Sequence, residues 1–427
     1  MDTDFESDNK MKITICAFDA PNNIDGPSSW IKRLLPWLSD KGVEVRVIFF
    51  AANAPDLPVY NYLVTAGIKC KLIFWELFQE EKIIEVLKEL RNNTPDVFIA
   101  NYFPVACTAC KWIKDAGIPT IMVVHNDDPF HYSLIEEYAQ KSERFLSNVV
   151  CVSKSISKSI RGKISPKIVL STIPCGAPLS KKLVHLPYPA NLKVIYAGRI
   201  DEKQKQISAV TRAFCLAARQ VPGTEYKIYG SGPALDNVLD ILKTEGKGLP
   251  VEYAGVLESS SILENFLQHH VFVLLSDYEG IPISLMEAMG CGLVPVCTFV
   301  KSGIQEMVED RVNGLLVEDR LNSFVRAIQT IKSDPELHMS MSANAHSTIK
   351  NNYASEICNS LWLELLKDTL NPGVTKSEIQ IPSLSELREY KFPSPLKAHA
   401  NPMPSPILIP LFRLKYILGK LKRQFLP

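Results

Sequence analysis

The sequence has few of the features that place a protein in a membrane or on nucleic acid. None of its apolar runs approaches the roughly 20 residues that a membrane-spanning helix needs. Its 47 basic and 46 acidic side chains give a formal net charge of +1, which argues against a nucleic-acid-binding protein. The acidic and polar first ten residues do not resemble a signal or transit peptide. We therefore expect a soluble or peripheral protein without a nucleic-acid partner, and a disordered segment over residues 1–10.

Three absent motifs narrow the chemistry further. No Gly-x-x-x-x-Gly-Lys sequence is present, which argues against a nucleoside triphosphatase. The loop after the first predicted strand has one glycine, Gly26, where a nicotinamide-binding domain would have three spaced glycines. The only Asp-x-Asp sequence joins Asp2 and Asp4 in the N-terminal segment, outside the predicted folded region. Because acidic pairs of this kind hold Mg²⁺, we predict no metal site and no cofactor.

The ten cysteines are scattered in apolar surroundings and form no paired framework, which is typical of a reducing compartment. Cys107 and Cys110 make a lone Cys-x-x-Cys within a helical pattern, without a second pair or a histidine at metal spacing. We interpret both as core thiols rather than as a zinc or redox site. The predicted location is the cytoplasm.

The length and the order of patterns indicate two domains. At 427 residues the chain exceeds one ordinary domain, and its opening reads strand, loop, helix, strand, as in doubly wound parallel sheets. A proline-containing connector over residues 178–189 separates this part from a second series of strands and helices. We predict an α/β protein with a first Rossmann-like domain over residues 11–180 and a second over residues 190–352.

The most informative stretch lies in the second predicted domain. Residues 271–275 are an apolar run of strand length, Gly280 and Pro282 end the extended conformation, and residues 283–289 favour a helix. The free N–H groups of such a helix point toward the carboxyl edge of the sheet, where anions bind. Glu279 and Glu287 flank this loop, and like charges would repel a phosphate. We expect them to accept hydrogen bonds from hydroxyl-rich groups on either side of a diphosphate, a hexose at Glu279 and a ribose at Glu287. The alternative is that both are solvated surface glutamates.

A second strand-to-helix turn follows the strand predicted over residues 193–197. It contains Arg199 and Lys205. A guanidinium can bind phosphate through two parallel hydrogen bonds, and an ammonium supplies a mobile point charge. We therefore predict a diphosphate site at this turn. A solvated basic loop is the alternative.

These residues resemble a known family. Two glutamates with seven residues between them, followed by Ala288, Met289 and a glycine-containing turn, resemble the signature of the retaining glycosyltransferases of family 4. The spacing of Arg199 and Lys205 and the turn at residues 230–233 are similar to further family patterns. The resemblance covers about residues 11–370 and is strongest over residues 194–317.

The sequence departs from the family pattern at three places. Only Gly26 stands where the family has two adjacent glycines, residues 175–178 replace an Asn-Gly-Val-Asp sequence, and Gln206 stands where most relatives have glycine.

The resemblance implies two Rossmann-like domains facing each other across a cleft, the GT-B arrangement, with donor on the second domain and acceptor on the first. It implies retaining transfer of a hexosyl group from a nucleotide-diphosphate sugar without a metal. Arg199 and Lys205 would stabilise the leaving diphosphate, while Glu279 and His125 would orient the sugar; the alternative for His125 is a structural role. The other residues that would bind substrate are Gly26, Gly230, Val256, Gly280, Ile281, Ile283 and Glu287.

The resemblance also implies that a helix over residues 353–370 crosses back to the first domain. We expect residues 371–427 to form a proline-rich linker and a basic amphipathic tail, which suits an anionic membrane surface. Packing of this tail on the first domain is the alternative. Its apolar stripe consists of Leu411, Leu414, Leu418, Leu421 and Phe425.

The expected acceptor is a sugar or a lipid-linked acceptor in surface polysaccharide or glycolipid synthesis, with the enzyme peripheral to the inner face of the plasma membrane. Two other functions fit the same fold. A nucleotide-sugar epimerase would act on the donor without an acceptor, and a non-catalytic scaffold would only bind sugar.

Overall fold

The computed structural model describes residues 10–21, 25–180, 191–257, 261–300, 302–370 and 373–389. The predicted disordered segment over residues 1–10 lies outside this description except for Lys10. The predicted amphipathic stripe from Leu411 to Phe425 lies wholly outside it.

The first domain is built on a seven-stranded parallel sheet with strand order β3-β2-β1-β4-β5-β6-β7. Its central strands are buried on both faces, since helices cover both sides of the sheet. The strands are β1 Lys12–Asp19, β2 Glu44–Ala51, β3 Lys69–Phe74, β4 Val97–Asn101, β5 Thr120–Val124, β6 Asn148–Cys151 and β7 Val169–Thr172.

Helices connect these strands, and several begin at a side chain that caps the free N–H groups. The Asp25 carboxylate accepts from the Ser28 N–H at 2.7 Å, and the Asp128 carboxylate accepts from the His131 N–H at 2.9 Å. Both caps lie at the carboxyl edge of the sheet. The helices are α1 Gly26–Asp40, α2 Pro58–Thr65, α3 Gln79–Asn92, α4 Pro104–Asp115, α5 Pro129–Ile135, which a π turn over Glu136–Gln140 extends, and α6 Lys154–Ile160.

The second domain has a six-stranded parallel sheet with strand order β10-β9-β8-β11-β12-β13. Its strands are β8 Leu192–Ala197, β9 Thr224–Tyr229, β10 Val251–Tyr253, β11 Val271–Leu274, β12 Val294–Thr298 and β13 Leu315–Val317. Its helices are α7 Ile207–Gln220, α8 Leu235–Thr244, α9 Ile262–Phe266, α10 Ile283–Gly290, α11 Ile304–Met307, α12 Asn322–Ser333 and α13 Pro335–Asn352. The prediction of an α/β protein with two Rossmann-like domains is confirmed.

The chain returns to the first domain through helix α14, Ser355–Thr369. Trp362 of this helix packs against Trp30 of α1 with ring centroids 5.3 Å apart, and both rings are buried. At the start of α14 the Ser355 N–H donates to the Ala177 carbonyl at 2.9 Å, and the Ala177 N–H donates to the Tyr353 carbonyl at 2.9 Å. The outgoing and returning segments are therefore hydrogen-bonded to each other between the domains.

The prediction of a linker that begins at Asn371 is wrong for residues 373–389. This segment ends in helix α15, Leu384–Glu389, and lies on the first domain. Ile379 and Leu387 are fully buried, and the Ser377 N–H donates to the Ala116 carbonyl at 3.0 Å. Burial of these two apolar side chains, which lie before the proline cluster, holds the segment in place.

In the part of the chain that the structure describes, no helix is both long and apolar enough to cross a membrane.

Candidate functional site

A cavity of about 760 Å³ lies between the two domains, where the carboxyl ends of both sheets face each other. Parallel α/β sheets bind ligands at this edge. The cavity brings together every site residue predicted from the sequence. These are Gly26, His125, Arg199, Lys205, Gly230, Val256, Glu279, Gly280, Ile281, Ile283 and Glu287.

The loop between β8 and α7 is organised by Asp201, which is 6% exposed. Its Oδ1 accepts from the Gln204 N–H at 2.9 Å and from the Lys205 N–H at 3.3 Å, while its Oδ2 pairs with the Arg199 guanidinium. These hydrogen bonds and the charge of Arg199 outweigh burial and hold the pKa of Asp201 below its usual value. Asp201 therefore holds the Arg199 guanidinium and the backbone of Lys205, and so positions both predicted diphosphate-binding residues.

Glu279 is 5% exposed and joins this network from the second loop. Its Oε1 accepts from Lys205 Nζ at 2.5 Å, and its Oε2 accepts from Gln204 Nε2 at 3.3 Å. Gln204 also accepts from an Arg199 NH2 group at 2.9 Å. We expected hydroxyl groups as the partners of Glu279, whereas its protein partners are a cation and an amide. A buried carboxylate needs compensation for its charge, and Lys205 provides it.

Glu287 also has a cationic partner that the sequence analysis missed. Its Oε1 accepts from Arg33 of α1 at 3.0 Å, and the same guanidinium donates to the Gly176 carbonyl at 3.0 Å. Burial raises the pKa of Glu287, and the nearby charge of Arg33 opposes that shift. The pair joins the first domain to the second across the cleft.

The loop before α10 leaves almost no space between the domains. A Cβ atom on Gly280 would lie 1.9 Å from the His125 carbonyl oxygen and 2.9 Å from Asn126 Cα. A Cβ on Gly26 would lie 3.3 Å from Ile283 Cδ1. The domains thus contact each other through glycine at two points of the cavity rim, and residues at the start of α10, where the helix leaves N–H groups free, line the cavity.

His125, at the end of β5, is held between Trp30 and Tyr102, with ring centroids 5.2 Å from each. Burial, together with the neighbouring His131, lowers the pKa of His125 to about 3, so the ring is neutral near pH 7. Its Nε2 lies 2.7 Å from Asn101 Oδ1, and the amide of Asn101 donates to the Cys16 carbonyl at 3.1 Å. Because that bond assigns Oδ1 as the acceptor, His125 carries its proton on Nε2 and leaves Nδ1 as an acceptor.

The sequence analysis also missed an acid–histidine pair at the same edge. Asp128 Oδ1 lies 2.9 Å from Nδ1 of His131, and both residues line the cavity. Hydrogen bonds from His131, together with its charge, lower the pKa of Asp128 to about 2 although burial opposes the shift. The sequence signals for Asp128 were its position after the strand that ends at His125, where catalytic groups collect, and its place before Pro129, which is typical of a helix cap.

Two backbone conformations explain the glycine pattern of this region. Gln206 precedes α7 with φ at +52°, in the left-handed region that glycine adopts without strain, and its amide donates to Asp277 at 2.7 Å. Gly230 has φ at +141°, and a Cβ there would lie 1.8 Å from the Gly198 carbonyl oxygen. Only glycine at position 230 allows the loops after β8 and β9 to pack together.

Cys107 and Cys110 are fully buried in α4, and neither forms a disulfide. Within the described ranges, no group of three or more histidine, cysteine, aspartate or glutamate side chains is placed to hold a metal ion.

Family models match both halves of the chain. The model for Glycosyltransferase Family 4 matches residues 24–181, and the model for Glycosyl transferases group 1 matches residues 184–348. The first match covers most of the first domain and the second match covers most of the second, and together they contain all the predicted site residues.

Individual relatives are distant. The chain is 24% identical to an exopolysaccharide phosphotransferase of Streptomyces coelicolor over 82% of this chain, but it spans only 38% of that protein's length. It is 22% identical to the GalNAc-alpha-(1->4)-GalNAc-alpha-(1->3)-diNAcBac-PP-undecaprenol alpha-1,4-N-acetyl-D-galactosaminyltransferase of Campylobacter jejuni, over 77% of this chain and 91% of that protein. Among solved structures, Anabaena HepE in complex with UDP and glucose superimposes with a TM-score of 0.69 at 18% identity, covering 84% of this chain and 100% of that one.

Proposed function

The chain belongs to the group 1 glycosyltransferases, and we propose that it transfers a hexosyl group from a nucleotide-diphosphate sugar to a sugar or lipid-linked acceptor with retention of configuration. The observation that carries this proposal is the convergence of Arg199, Lys205 and the start of α10 on one cavity. Two cations and a set of free N–H groups fit a diphosphate. The carboxylates of Glu279 and Glu287 stand where hydroxyl groups on either side of that diphosphate would need acceptors.

Charge stabilisation is the main contribution of the second domain in this mechanism. Negative charge develops on the diphosphate as the bond to the sugar breaks, and preorganised cations lower the free energy of that transition state. Asp201 and Glu279 hold Arg199 and Lys205 in position before the donor binds. The mechanism needs no protein nucleophile, since the leaving phosphate accepts the proton of the acceptor hydroxyl on the face from which it departs.

The first domain contributes a neutral ring at the point where donor and acceptor meet. His125 is uncharged near pH 7 because burial lowers its pKa to about 3. It therefore orients the sugar through a hydrogen bond and adds no positive charge to the reaction centre. Asn101 fixes the ring orientation.

The nucleotide of the donor can be identified by measuring which nucleotides bind the protein. Solved structures of similar fold contain UDP, UDP with glucose or UDP-glucose, which supports a uridine donor as the first to be tested. Melting temperatures of the purified chain are measured with uridine, adenosine and guanosine diphosphates and their common sugar conjugates. A ligand that binds only the folded state raises the melting temperature. No shift with any nucleotide would contradict the proposal.

The acceptor proposal rests on relatives and on the tail. One relative's name specifies a PP-undecaprenol acceptor. A lipid-linked acceptor would be met at an anionic membrane surface, to which the basic residues beyond Pro410 are suited. Co-sedimentation with anionic vesicles compares the full chain with one ending after residue 389. Equal pelleting of both, or of neither, would remove the membrane role.

The two other functions are separated from transfer by the products. An epimerase converts the nucleotide sugar without an acceptor, whereas a transferase releases a nucleoside diphosphate only in proportion to the acceptor consumed. A scaffold binds the nucleotide sugar and releases nothing. Chromatography of the nucleotides with and without acceptor distinguishes all three.

A further inference from the structure

The ion pair between Arg33 and Glu287 joins the first domain to the second. Arg33 lies on α1 of the first domain, and its side chain is 21% exposed. Glu287 lies on α10 of the second domain, and its side chain is 8% exposed. Glu287 lines the cavity, whereas Arg33 does not. A group on the first domain thus fixes a carboxylate that faces the donor cavity of the second.

Arg33 uses separate nitrogen atoms for two partners. One NH1 group donates to Glu287 Oε1 at 3.0 Å, and an NH2 group donates to the Gly176 carbonyl at 3.0 Å. Gly176 lies where the chain leaves the first domain, with φ at +69°, and a Cβ there would be 3.0 Å from Ser355 Cα of the returning segment. One planar guanidinium therefore connects α1, the junction between domains, and α10.

Only one oxygen of Glu287 is occupied by this contact. Oε1 accepts from Arg33, and the described residues give Oε2 no hydrogen-bond partner. The carboxylate must stay ionised to accept hydrogen bonds from two hydroxyl groups. Burial of an ionised carboxylate is unfavourable unless an opposite charge lies close, and Arg33 is that charge.

We infer that Arg33 is a positioning residue of the nucleotide site, contributed by the opposite domain, and that it holds Glu287 ionised and oriented toward the ribose hydroxyls. This inference rests on the proposed function. It means that the second domain alone has an incomplete donor site. Nucleotide affinity then depends on a contact between the two domains, the hydrogen bond from Arg33 to Glu287.

Charged and titratable groups surround Glu287 on three neighbouring elements, α1, α10 and α13. Arg33 and Lys32 on α1 both favour its ionised form. Cys291, after α10, has a thiol pKa raised to about 12 by burial and is uncharged. His346 on α13 contacts the Gly290 carbonyl through Nδ1 at 2.8 Å. Arg33 is the one cation that these contacts place in direct hydrogen bonding with Glu287.

The test compares Arg33→Met with a matched control, Arg46→Met. Arg46 lies in the same domain, is 20% exposed, and pairs with Glu89 at 3.3 Å within that domain, away from the cavity. Dissociation constants for uridine, adenosine and guanosine diphosphates are measured by calorimetry from pH 5.5 to 8.5. We expect Arg33→Met to weaken binding of the preferred diphosphate roughly tenfold at pH 7, and Arg46→Met to leave it unchanged.

The pH dependence separates positioning from a merely structural role. Without Arg33 the pKa of Glu287 rises further, so the deficit in affinity grows as pH falls and narrows as pH rises. Glu287→Gln should weaken binding at every pH with a flatter profile, and adding Arg33→Met to it should cost little more. Arg33→Lys keeps the positive charge and should recover part of the affinity at pH 7, although an ammonium cannot reproduce both hydrogen bonds. In turnover, Arg33→Met should raise the donor KM with little change in kcat.

Three results would overturn the inference. One is equal affinity of Arg33→Met, Arg46→Met and wild type across the pH range. Another is a loss in Arg33→Met that is the same at pH 5.5 and 8.5 and is accompanied by an equal loss in Arg33→Lys. If the wild-type protein binds none of the three diphosphates, the proposed function fails and this inference fails with it.

Discussion

The two walls of the cavity, one formed by each domain, differ in the charged groups that they present. The second domain presents charged side chains that are already paired with each other, Arg199 with Asp201 and Lys205 with Glu279. The first domain presents the neutral ring of His125 between two aromatic rings and, beside it, Asp128 paired with His131. Paired cations suit a ligand whose negative charge increases during the reaction, and a neutral ring suits an uncharged sugar. In each wall these charged side chains pair within their own domain.

Arg33 is an exception, because its ion pair crosses from one domain to the other. It is a cation of the first domain whose partner, Glu287, belongs to the second.

Removing one charge from the second wall should have the largest effect. Arg199→Ala, with Lys205 intact, should lower kcat roughly 10²-fold, because one preorganised donor at the developing charge is lost. Steady-state rates with the identified donor measure it. Arg212→Ala is the matched control, since Arg212 has the same 51% side-chain exposure as Arg199 and an equivalent ion pair on the outside of the same domain. Wild-type turnover in Arg199→Ala would contradict the assignment.

Moving the two domains apart should have the next largest effect on activity. In Gly280→Ala the new methyl group would meet the His125 carbonyl, which is backbone and cannot rotate away. We expect the domains to part slightly and kcat/KM to fall roughly tenfold, as overpacking of a tight contact commonly costs 1–3 kcal/mol. Gly290→Ala, at the end of the same helix, has its nearest neighbour at 3.5 Å and should keep its activity. Similar kinetics in the two variants would count against a closed arrangement.

Acid should destabilise both domains, because each contains a buried histidine that is neutral in the folded state. Activity near pH 7 should be affected less than stability at low pH. Burial lowers the pKa of His125 to about 3 in the first domain and, with nearby charges, that of His270 to about 4 in the second. The unfolded chain binds protons at these positions below about pH 6.5, so stability is present above that pH and falls as the pH drops toward 4. The loss is about 2 kcal/mol per histidine at pH 5.

Circular dichroism during acid titration measures this effect. His270→Gln should move the unfolding midpoint to lower pH, and His125→Gln should do the same for the first domain. His346→Gln serves as the control, because His346 is only partly buried. An unchanged midpoint in both His125→Gln and His270→Gln would show that other groups control acid unfolding.

The smallest expected effect is that of chelation. If the paired cations of the second wall carry the charge of the leaving group, EDTA should leave the steady-state rate unchanged. The comparison is the rate before and after EDTA, and then after Mg²⁺ or Mn²⁺ is added back. If EDTA abolishes the rate and Mg²⁺ or Mn²⁺ restores it, a metal ion acts together with Arg199 and Lys205 on the leaving group.

The second wall could be predicted from the sequence because its groups are close along the chain. Arg199 and Lys205 share one loop, and Glu279 and Glu287 share one turn and helix, so local patterns and spacing predicted them, whereas the roles of Asp201 and Gln204 in the same loop were missed. Most of the central strands could be predicted for the same reason, since buried parallel strands are short apolar runs. The partly exposed edge strands β3 and β7 were not predicted.

The first wall could be predicted only in part. Arg33 lies 254 residues from Glu287, and no pattern near either residue indicates their contact. Asn101 adopts a left-handed conformation at the end of β4 and reaches His125 across 24 residues, which only the order of strands explains. The docking of residues 373–389 was missed because two buried side chains, Ile379 and Leu387, are too few to form a periodic pattern.

The paired crossings between the domains have a mechanical consequence. The chain passes between the domains twice, and the Ala177 and Ser355 segments are hydrogen-bonded side by side at that point. Two chain connections far apart would restrict rotation of the domains about any axis. Two adjacent connections allow rotation about the axis that passes through both. The domains should therefore rotate about one axis through Ala177 and Ala354. This axis passes close to Glu287, because Arg33 bridges Gly176 and Glu287. Rotation would change the spacing of the domains least at Glu287 and more at cavity residues farther from the axis.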